Sequence, residues 1–284
     1  MSSPLKIRQL TPAVGAVIEG VDLTKEITPK TKAEIEKALV KHGVIFFENQ
    51  QALTPEKQRN FARLFGELHI HPFYPPASKE VPELIVLDTN TKNPPDSNNW
   101  HTDVTFIPTP PLGCVLRAVM LPPCGGDTCW ASTAAAYKAL SPPMREFVDK
   151  LTVVHDFVKG FPADRWTDPE EARKTIAANP PTTHPLVRVH PVSGEKGLFC
   201  GDFSSRINNL SKEESEVILN YLNAFVSKPE FIVRWHWKEG DVAFWDNRLT
   251  QHYAVADYLP NRRIMHRATI LGDRPYGPAL PKHE

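Results

Sequence analysis

The sequence predicts a mainly β fold, a distorted double-stranded β-helix of the jelly-roll kind with peripheral α-helices. Three observations lead there. Strand-like apolar runs recur through the C-terminal half (186–190, 231–237, 242–245 and 264–271) without the regular strand–helix alternation of an α/β fold. The chain carries 28 prolines against 14 glycines, which suits proline-rich loops between strands better than a helical bundle. Helix-start signals are few and lie toward the margins of the strand runs.

Taken in order, the first 25 residues space Ile7, Val14, Val17, Val21 and Leu23 as one or two short strands. Thr28-Pro29 opens a helix with a hydroxyl N-cap and proline at the first helical position. Ile35, Ala38, Leu39 and His42 fall on one face of it, and Gly43 stops it. Residues 44–47 read as a buried strand. Thr54-Pro55 repeats the helix-start signal, with Phe61, Leu64 and Phe65 as the apolar face and Gly66 as the end. Further strands are expected over 84–87 and 114–120. Residues 159–185 read as an inserted loop region with one helix over 169–178. Ser211 and Glu214 form a capping box ahead of an amphipathic helix reaching about Val226. No shift in composition marks a linker, so residues 1–284 are expected to form one domain. The length, with 41% hydrophobic residues, is enough to bury a sizeable core.

Lys plus Arg is 33 and Asp plus Glu is 33, for zero formal charge. A nucleic-acid binder would show a basic excess or stripe, so a small-molecule partner is expected and nucleic acid is not. The longest apolar runs, such as 43–47 and 242–245, fall far short of a membrane span. The opening residues have no basic stretch leading into an apolar core, so no secretory signal and a cytoplasmic location are expected. The four cysteines match no paired-thiolate zinc pattern and read as buried or incidental thiols.

The chemistry centres on Asn99-Trp100-His101-Thr102-Asp103-Val104. In an extended segment His101 and Asp103 share a face, because strand side chains alternate. An imidazole and a carboxylate so placed are natural metal ligands, and His252 is the candidate third. Two histidines and one carboxylate on one side of a metal leave open positions opposite, an arrangement that selects iron(II) and oxygen chemistry. With 11 histidines in the chain, a solvent-facing pair or a structural hydrogen bond accounts for His101 and Asp103 equally well. The downstream arginines favour the ligand reading. If 263–271 is a strand, Arg263, Met265 and Arg267 share one face, the arginines about 13 Å apart along it. Buried guanidinium groups call for anions, whereas on an edge strand both would point to solvent.

Several ordered segments together resemble the taurine dioxygenase group of iron(II)- and 2-oxoglutarate-dependent dioxygenases. They are Phe65-Gly66-Glu67-Leu68-His69-Ile70-His71-Pro72-Phe73-Tyr74, Asn99 to Phe106, Gly125-Gly126-Asp127-Thr128, His190-Pro191-Val192-Ser193-Gly194, Trp245-Asp246-Asn247-Arg248, Thr250-Gln251-His252 and Arg262 to Gly272. The resemblance runs from about residue 5 to residue 273. It implies the double-stranded β-helix, Fe(II) as cofactor, and 2-oxoglutarate and O2 as co-substrates. By position it implies His101, Asp103 and His252 as iron ligands, and Arg263 with the Thr128 hydroxyl as the grip on the distal carboxylate of 2-oxoglutarate. Arg267, His71 and the backbone N–H of Val104 would hold a sulfonate; Tyr74, Phe161 and Phe203 would be pocket walls. Taken alone, Phe161 and Phe203 read as core anchors, His71 as a surface histidine and Thr128 as an ordinary strand threonine. The implied reaction hydroxylates the carbon next to the sulfonate of taurine or a related alkylsulfonate, releasing sulfite and an aldehyde. The same chemistry on a sulfate ester or carboxylate, and a non-catalytic metal- or anion-binding jelly roll, are the alternatives. A homo-oligomer, dimer or tetramer, is the expected assembly. The chain departs from the pattern at Ser97, where the family commonly has an asparagine near the substrate amine, at Gly160, where a serine is usual, and in a loop one residue shorter before Phe203. These differences predict more room in the pocket and bear on the substrate rather than on the reaction.

Overall fold

The protein is described here by a computed structural model covering residues 5–70, 75–161 and 168–282. Eight strands form the larger sheet: β1 (Lys6–Gln9), β2 (Ala16–Glu19), β3 (Val44–Phe47), β4 (Pro76–Ser78), β5 (Val81–Thr89), β6 (Gly113–Met120), β14 (Val242–Asp246) and β16 (Arg263–Ile270). Their spatial order is β1-β2-β3-β14-β6-β16-β5-β4. A smaller sheet, β13-β7-β15, joins Ile232–Trp235, Thr128–Ser132 and Thr250–Ala254. Two outer groups complete the strands. One is β12 (Ser204–Ile207), β8 (Thr152–His155) and β9 (Thr182–Pro185), in that order; the other is the pair β10 (Val187–Val189) and β11 (Lys196–Leu198). This is the expected jelly-roll architecture.

Strand alternation explains how the larger sheet is covered on both faces. Ile45, Phe47, Val115, Val242, Phe244, Ala268 and Ile270 point to one side and pack with Ile35, Leu39 and Phe61. These come from α1 (Pro29–His42) and α2 (Pro55–Arg63). The alternate residues Val44, Phe46, Cys114, Leu116, Ala243, Trp245 and Met265 point to the other side, against Trp130, Val233, Trp235 and Trp237. Strands buried on both faces read as unbroken apolar runs, which is why the period-2 signal is weak there. The face carrying Met265 therefore also carries Arg263 and Arg267, turned inward between the sheets. The strand bearing them, β16, lies between β5 and β6 and is not an edge.

The helix caps follow their sequence signals. Thr28 accepts from the Thr31 N–H and Thr54 from the Lys57 N–H. Gly43, at φ 71°, takes the left-handed conformation that ends α1, its N–H bonding the Leu39 carbonyl. On α2 the inward face differs from expectation. Leu64 is exposed, and Gln58 is fully buried, donating from Nε2 to the carbonyls of Val115 and His266. An amide that meets two sheet carbonyls can occupy a core position that hydropathy assigns to an apolar residue.

Five further helices are α3 (Thr133–Ala139), α4 (Pro142–Val148), α5 (Phe157–Gly160), α6 (Pro169–Ala178) and α7 (Lys212–Val226). The capping box of α7 is formed, with Ser211 Oγ and the Glu214 carboxylate exchanging backbone hydrogen bonds. The expected insertion over 159–185 needs correction: α6 lies within it as predicted, but its end is strand β9, paired in register with β8. Two threonines, a histidine and a proline carry no strand period; cross-strand partners made the strand.

Candidate functional site

The segment 99–106 is not the strand the spacing suggested. His101 forms an isolated β-bridge, its N–H and C=O exchanging hydrogen bonds with those of His252 on β15, at 3.1 and 2.8 Å. The two imidazoles are thereby set side by side, ring centroids 4.2 Å apart. Thr102 Oγ1 then donates to the Thr250 carbonyl at 2.8 Å, and the chain turns from Asp103 onward. The turn, rather than pleat alternation, brings Asp103 back to the histidines.

Asp103 Oδ1 stands 3.9 Å from His101 Nε2 and 3.7 Å from His252 Nε2. Those separations are too long for hydrogen bonds. One ligand atom from each residue lies within 4.8 Å of the others, and all three residues are buried. His101 Nδ1 is 2.8 Å from the Asn99 carbonyl, so Nδ1 carries the hydrogen and Nε2 keeps its lone pair for a metal. Burial above all, with neighbouring His101 and against the opposing pull of Asp103, lowers the pKa of His252 to about 3, so the ring is neutral. Burial by itself would raise the Asp103 carboxyl, but the Arg267 guanidinium, then His252 and His101, hold it well below the usual carboxylate range. Two imidazoles and one carboxylate form a donor set that fits a divalent iron ion with open coordination positions.

Residues that sequence reasoning did not single out support this carboxylate. The Cys114 thiol approaches Asp103 Oδ2 at 3.3 Å, and Asn247 Nδ2 reaches the same oxygen at 3.5 Å. Asn247 is in turn fixed by Trp245 Nε1 at 2.8 Å, and the Trp245 ring packs on His252 with centroids 4.9 Å apart. Behind them Asp246 accepts from Arg248 through N, Nε and Nη2 and lies 3.0 Å from His190 Nε2. The run Trp245-Asp246-Asn247-Arg248 was visible as a motif; its supporting role appears only once Asn247 is seen beside Asp103.

Arg263 is 7% exposed. Its Nε donates to the Gly126 carbonyl at 3.1 Å and its Nη2 to Thr128 Oγ1 at 3.4 Å, a hydroxyl also bonded by Trp237 Nε1. Among the described residues no carboxylate pairs with it, and burial lowers its pKa. A desolvated guanidinium with only neutral partners is arranged for an incoming anion.

Arg267, on the same face of β16, is half-buried and sits 3.2 Å from Asp103 Oδ1 through Nη1. Leu68 bridges to Ile270 and the His69 N–H bonds the Thr269 carbonyl, so the chain leading to His71 runs along β16. His71 and Tyr74 themselves lie outside the described residues. Val104 has φ 53°, the left-handed region, which costs a β-branched residue on the order of 1–3 kcal/mol. Its N–H donates to no acceptor among the described residues.

Phe203 and Phe161 belong to an aromatic cluster with Phe106 and Phe157, flanked by Val104, Ile107, Val158 and Ile176. Ring centroids are 5.0 Å for Phe106–Phe203 and 4.9 Å for Phe157–Phe161. Gly160 does not open the pocket as expected. A Cβ there would stand 2.4 Å from Phe203 Cε1, so the space is already filled by the Phe203 ring. The Ser97 hydroxyl donates to Asp96 Oδ1 at 3.0 Å, and the Ser97 carbonyl accepts from the Ala254 N–H. The described residues thus bring His101, Asp103, His252, Arg267 and Val104 together, with Arg263 and Thr128 paired across the space between the two sheets.

Comparison with known proteins agrees with this geometry. Residues 6–269 match the model of the family described as taurine catabolism dioxygenase TauD, TfdA family. This chain belongs to that family. It is therefore an iron(II)- and 2-oxoglutarate-dependent oxygenase, with O2 as the other co-substrate. An alpha-ketoglutarate-dependent sulfate ester dioxygenase of Pseudomonas putida is 41% identical, over 96% of this chain and 91% of its own. An alkylsulfatase of Acinetobacter baylyi is 38% identical, over 95% and 86%. The crystal structure of a taurine dioxygenase from Burkholderia xenovorans superimposes with a TM-score of 0.83 at 38% identity, covering 98% of this chain and 94% of that one. No helix among the described residues is long and apolar enough to cross a membrane.

Proposed function

We propose that the chain oxidises the carbon bearing the sulfur-containing head group of an alkyl anion, with sulfate esters of alkyl alcohols as its first substrates and alkylsulfonates, taurine included, as secondary ones. The observation that carries this reading is the junction of Arg267 and the Val104 N–H with an apolar wall of phenylalanines, beside the His101–Asp103–His252 cluster. A guanidinium and a backbone N–H suit an oxyanion head, and phenylalanine faces suit an alkyl chain better than an ammonium. The engagement of Ser97 with Asp96, and the names borne by the two bacterial relatives, favour the sulfate ester over taurine.

In this reading His101, Asp103 and His252 hold the iron, and Arg263 with Thr128 receives the distal carboxylate of 2-oxoglutarate. Bound iron, together with 2-oxoglutarate and O2, supplies the oxidising power that inserts a hydroxyl at a C–H bond. The chain's own residues fix which bond is presented. Arg267 and Val104 anchor the head, and Phe161, Phe203 and Phe106 align the chain and keep water away. His71 and Tyr74 remain assigned by resemblance alone. Hydroxylation of the carbon next to an ester oxygen gives a product that collapses to an aldehyde and sulfate; next to sulfonate sulfur it gives an aldehyde and sulfite. Succinate and CO2 form in both cases.

The test is turnover with hexyl sulfate, hexanesulfonate and taurine, reading succinate together with sulfate or sulfite. Hexyl sulfate is expected to give succinate and sulfate in equal amounts, with the highest kcat/KM of the three. A highest kcat/KM with taurine refutes the order of substrates, and succinate formation that none of the three stimulates refutes the substrate class. A location in the cytoplasm, one domain over residues 1–284 and a homo-oligomeric assembly accompany this proposal.

A further inference from the structure

The turn after Asp103 carries three of the features used above: the carboxylate, the Val104 N–H and the Phe106 ring. Its Val104 backbone is strained, and a strained backbone persists only where its surroundings hold it. On the Asp103 side the hold is Thr102 to the Thr250 carbonyl. On the far side it is a pair of buried histidines. His184 Nε2 lies 2.8 Å from the Thr105 carbonyl and 3.1 Å from that of Ile107, so it carries the hydrogen and donates to both. His155 Nδ1 is 2.8 Å from Thr105 Oγ1. The rings stand edge to face, 5.1 Å apart, each against Phe199. They project from one face of the paired strands β8 and β9 and are 1% and 2% exposed.

We propose that His155 and His184 are positioning residues: a two-histidine clamp that fixes the Thr105–Ile107 end of the turn, and through it the orientation of the Asp103 carboxylate and the Val104 N–H. They touch neither metal nor substrate. The side chain and both flanking carbonyls of the turn are captured, so Val104 cannot relax to negative φ without breaking a buried hydrogen bond. The inference rests on the reading of Asp103 as a metal ligand.

The experiment measures Mn(II) binding to the purified apo-protein by calorimetry or electron paramagnetic resonance, in the absence of substrate. His184→Leu removes the donor, while His184→Gln places an amide nitrogen near the position of Nε2. Supporting partners of metal ligands are commonly worth 10- to 100-fold in affinity. We expect His184→Leu to raise the Mn(II) Kd at least about 10-fold and to lower the ratio of aldehyde to succinate, with His184→Gln returning both to within about threefold of wild type. Thr105→Val, which removes the His155 bond at nearly constant shape, is expected to change both in the same direction and replaces the leucine variant if that one does not fold. A Mn(II) Kd within about twofold of wild type in every folded variant overturns the clamp, as does a glutamine variant as impaired as leucine. Wild-type protein that binds no Mn(II) refutes the ligand reading instead, and the two failures are distinguishable.

Discussion

Replacing Arg263 by alanine separates the co-substrate site from the metal. The guanidinium is 7% exposed and bonded only to the Gly126 carbonyl and the Thr128 hydroxyl, with no carboxylate partner among the described residues. It therefore has no direct ion-pair partner among the described residues, with Asp127 acting on it only from a distance. Removing one member of a buried, hydrogen-bonded charge pair costs about 2–5 kcal/mol, because the other member is left desolvated. Every 1.4 kcal/mol is a factor of ten, so the half-saturating 2-oxoglutarate concentration should rise from about 30-fold to several-thousand-fold. The three ligands remain, so the Mn(II) Kd should stay within about twofold. The apo-protein breaks no ion pair on losing Arg263, so its thermal midpoint should fall far less than loss of a buried salt bridge would cause. The assay is succinate formation at varied 2-oxoglutarate, with Mn(II) calorimetry and a thermal melt on the same preparation. An unchanged 2-oxoglutarate requirement refutes the assignment, and an equal loss of Mn(II) affinity shows that Arg263 instead supports the ligands.

Other expected outcomes follow from single contacts. Alanine at His101, Asp103 or His252 should abolish substrate-dependent oxygen uptake, measured with an oxygen electrode, and any variant retaining wild-type turnover removes that residue from the ligand set. Gly160→Ala places a Cβ 2.4 Å from Phe203 Cε1 and should lower stability by about 1–3 kcal/mol, read by urea titration; it should also shift the preference among alkyl chain lengths, and a silent substitution would show that the ring yields freely. Ser97→Asn should change the ratio of kcat/KM for taurine to that for butanesulfonate by only several-fold, the worth of one neutral hydrogen bond at about 0.5–1.5 kcal/mol. Burial lowers His184 to about 4 and His155 well below the ordinary imidazole value. The unfolded chain therefore takes up more protons as pH falls below about 6.5, so the stability from neutral burial is complete above that pH and is lost toward pH 4. Urea midpoints at pH 7.5, 5.5 and 4.5 should fall more steeply for wild type than for His184→Gln, and parallel curves would contradict the pKa reading.

Much of this protein was decided locally and was legible in its residues. Thr28-Pro29 and Gly43 bracket α1, Ser211 and Glu214 start α7, and the apolar run at 44–47 is β3, because caps and short apolar runs act over a few neighbouring residues. The metal and 2-oxoglutarate candidates were legible as residue types in ordered motifs. Strand alternation also put Arg263 and Arg267 on one face, but only the tertiary structure showed that face to be the interior of a sandwich and β16 to be a central strand. Tertiary contacts alone decided the rest. Leu64 lies outward and Gln58 inward, since an amide that meets two sheet carbonyls can be buried. Residues 182–185 are a strand because β8 pairs with them. Gly160 is filled by a ring 43 positions away in sequence rather than opening a pocket. Asp103 reaches the histidines through a strained turn held by His155 and His184, from strands whose sequence gives no sign of that partnership. Local sequence fixes periodicity and caps; which groups meet across the sheets depends on long-range register, which no short window of residues contains.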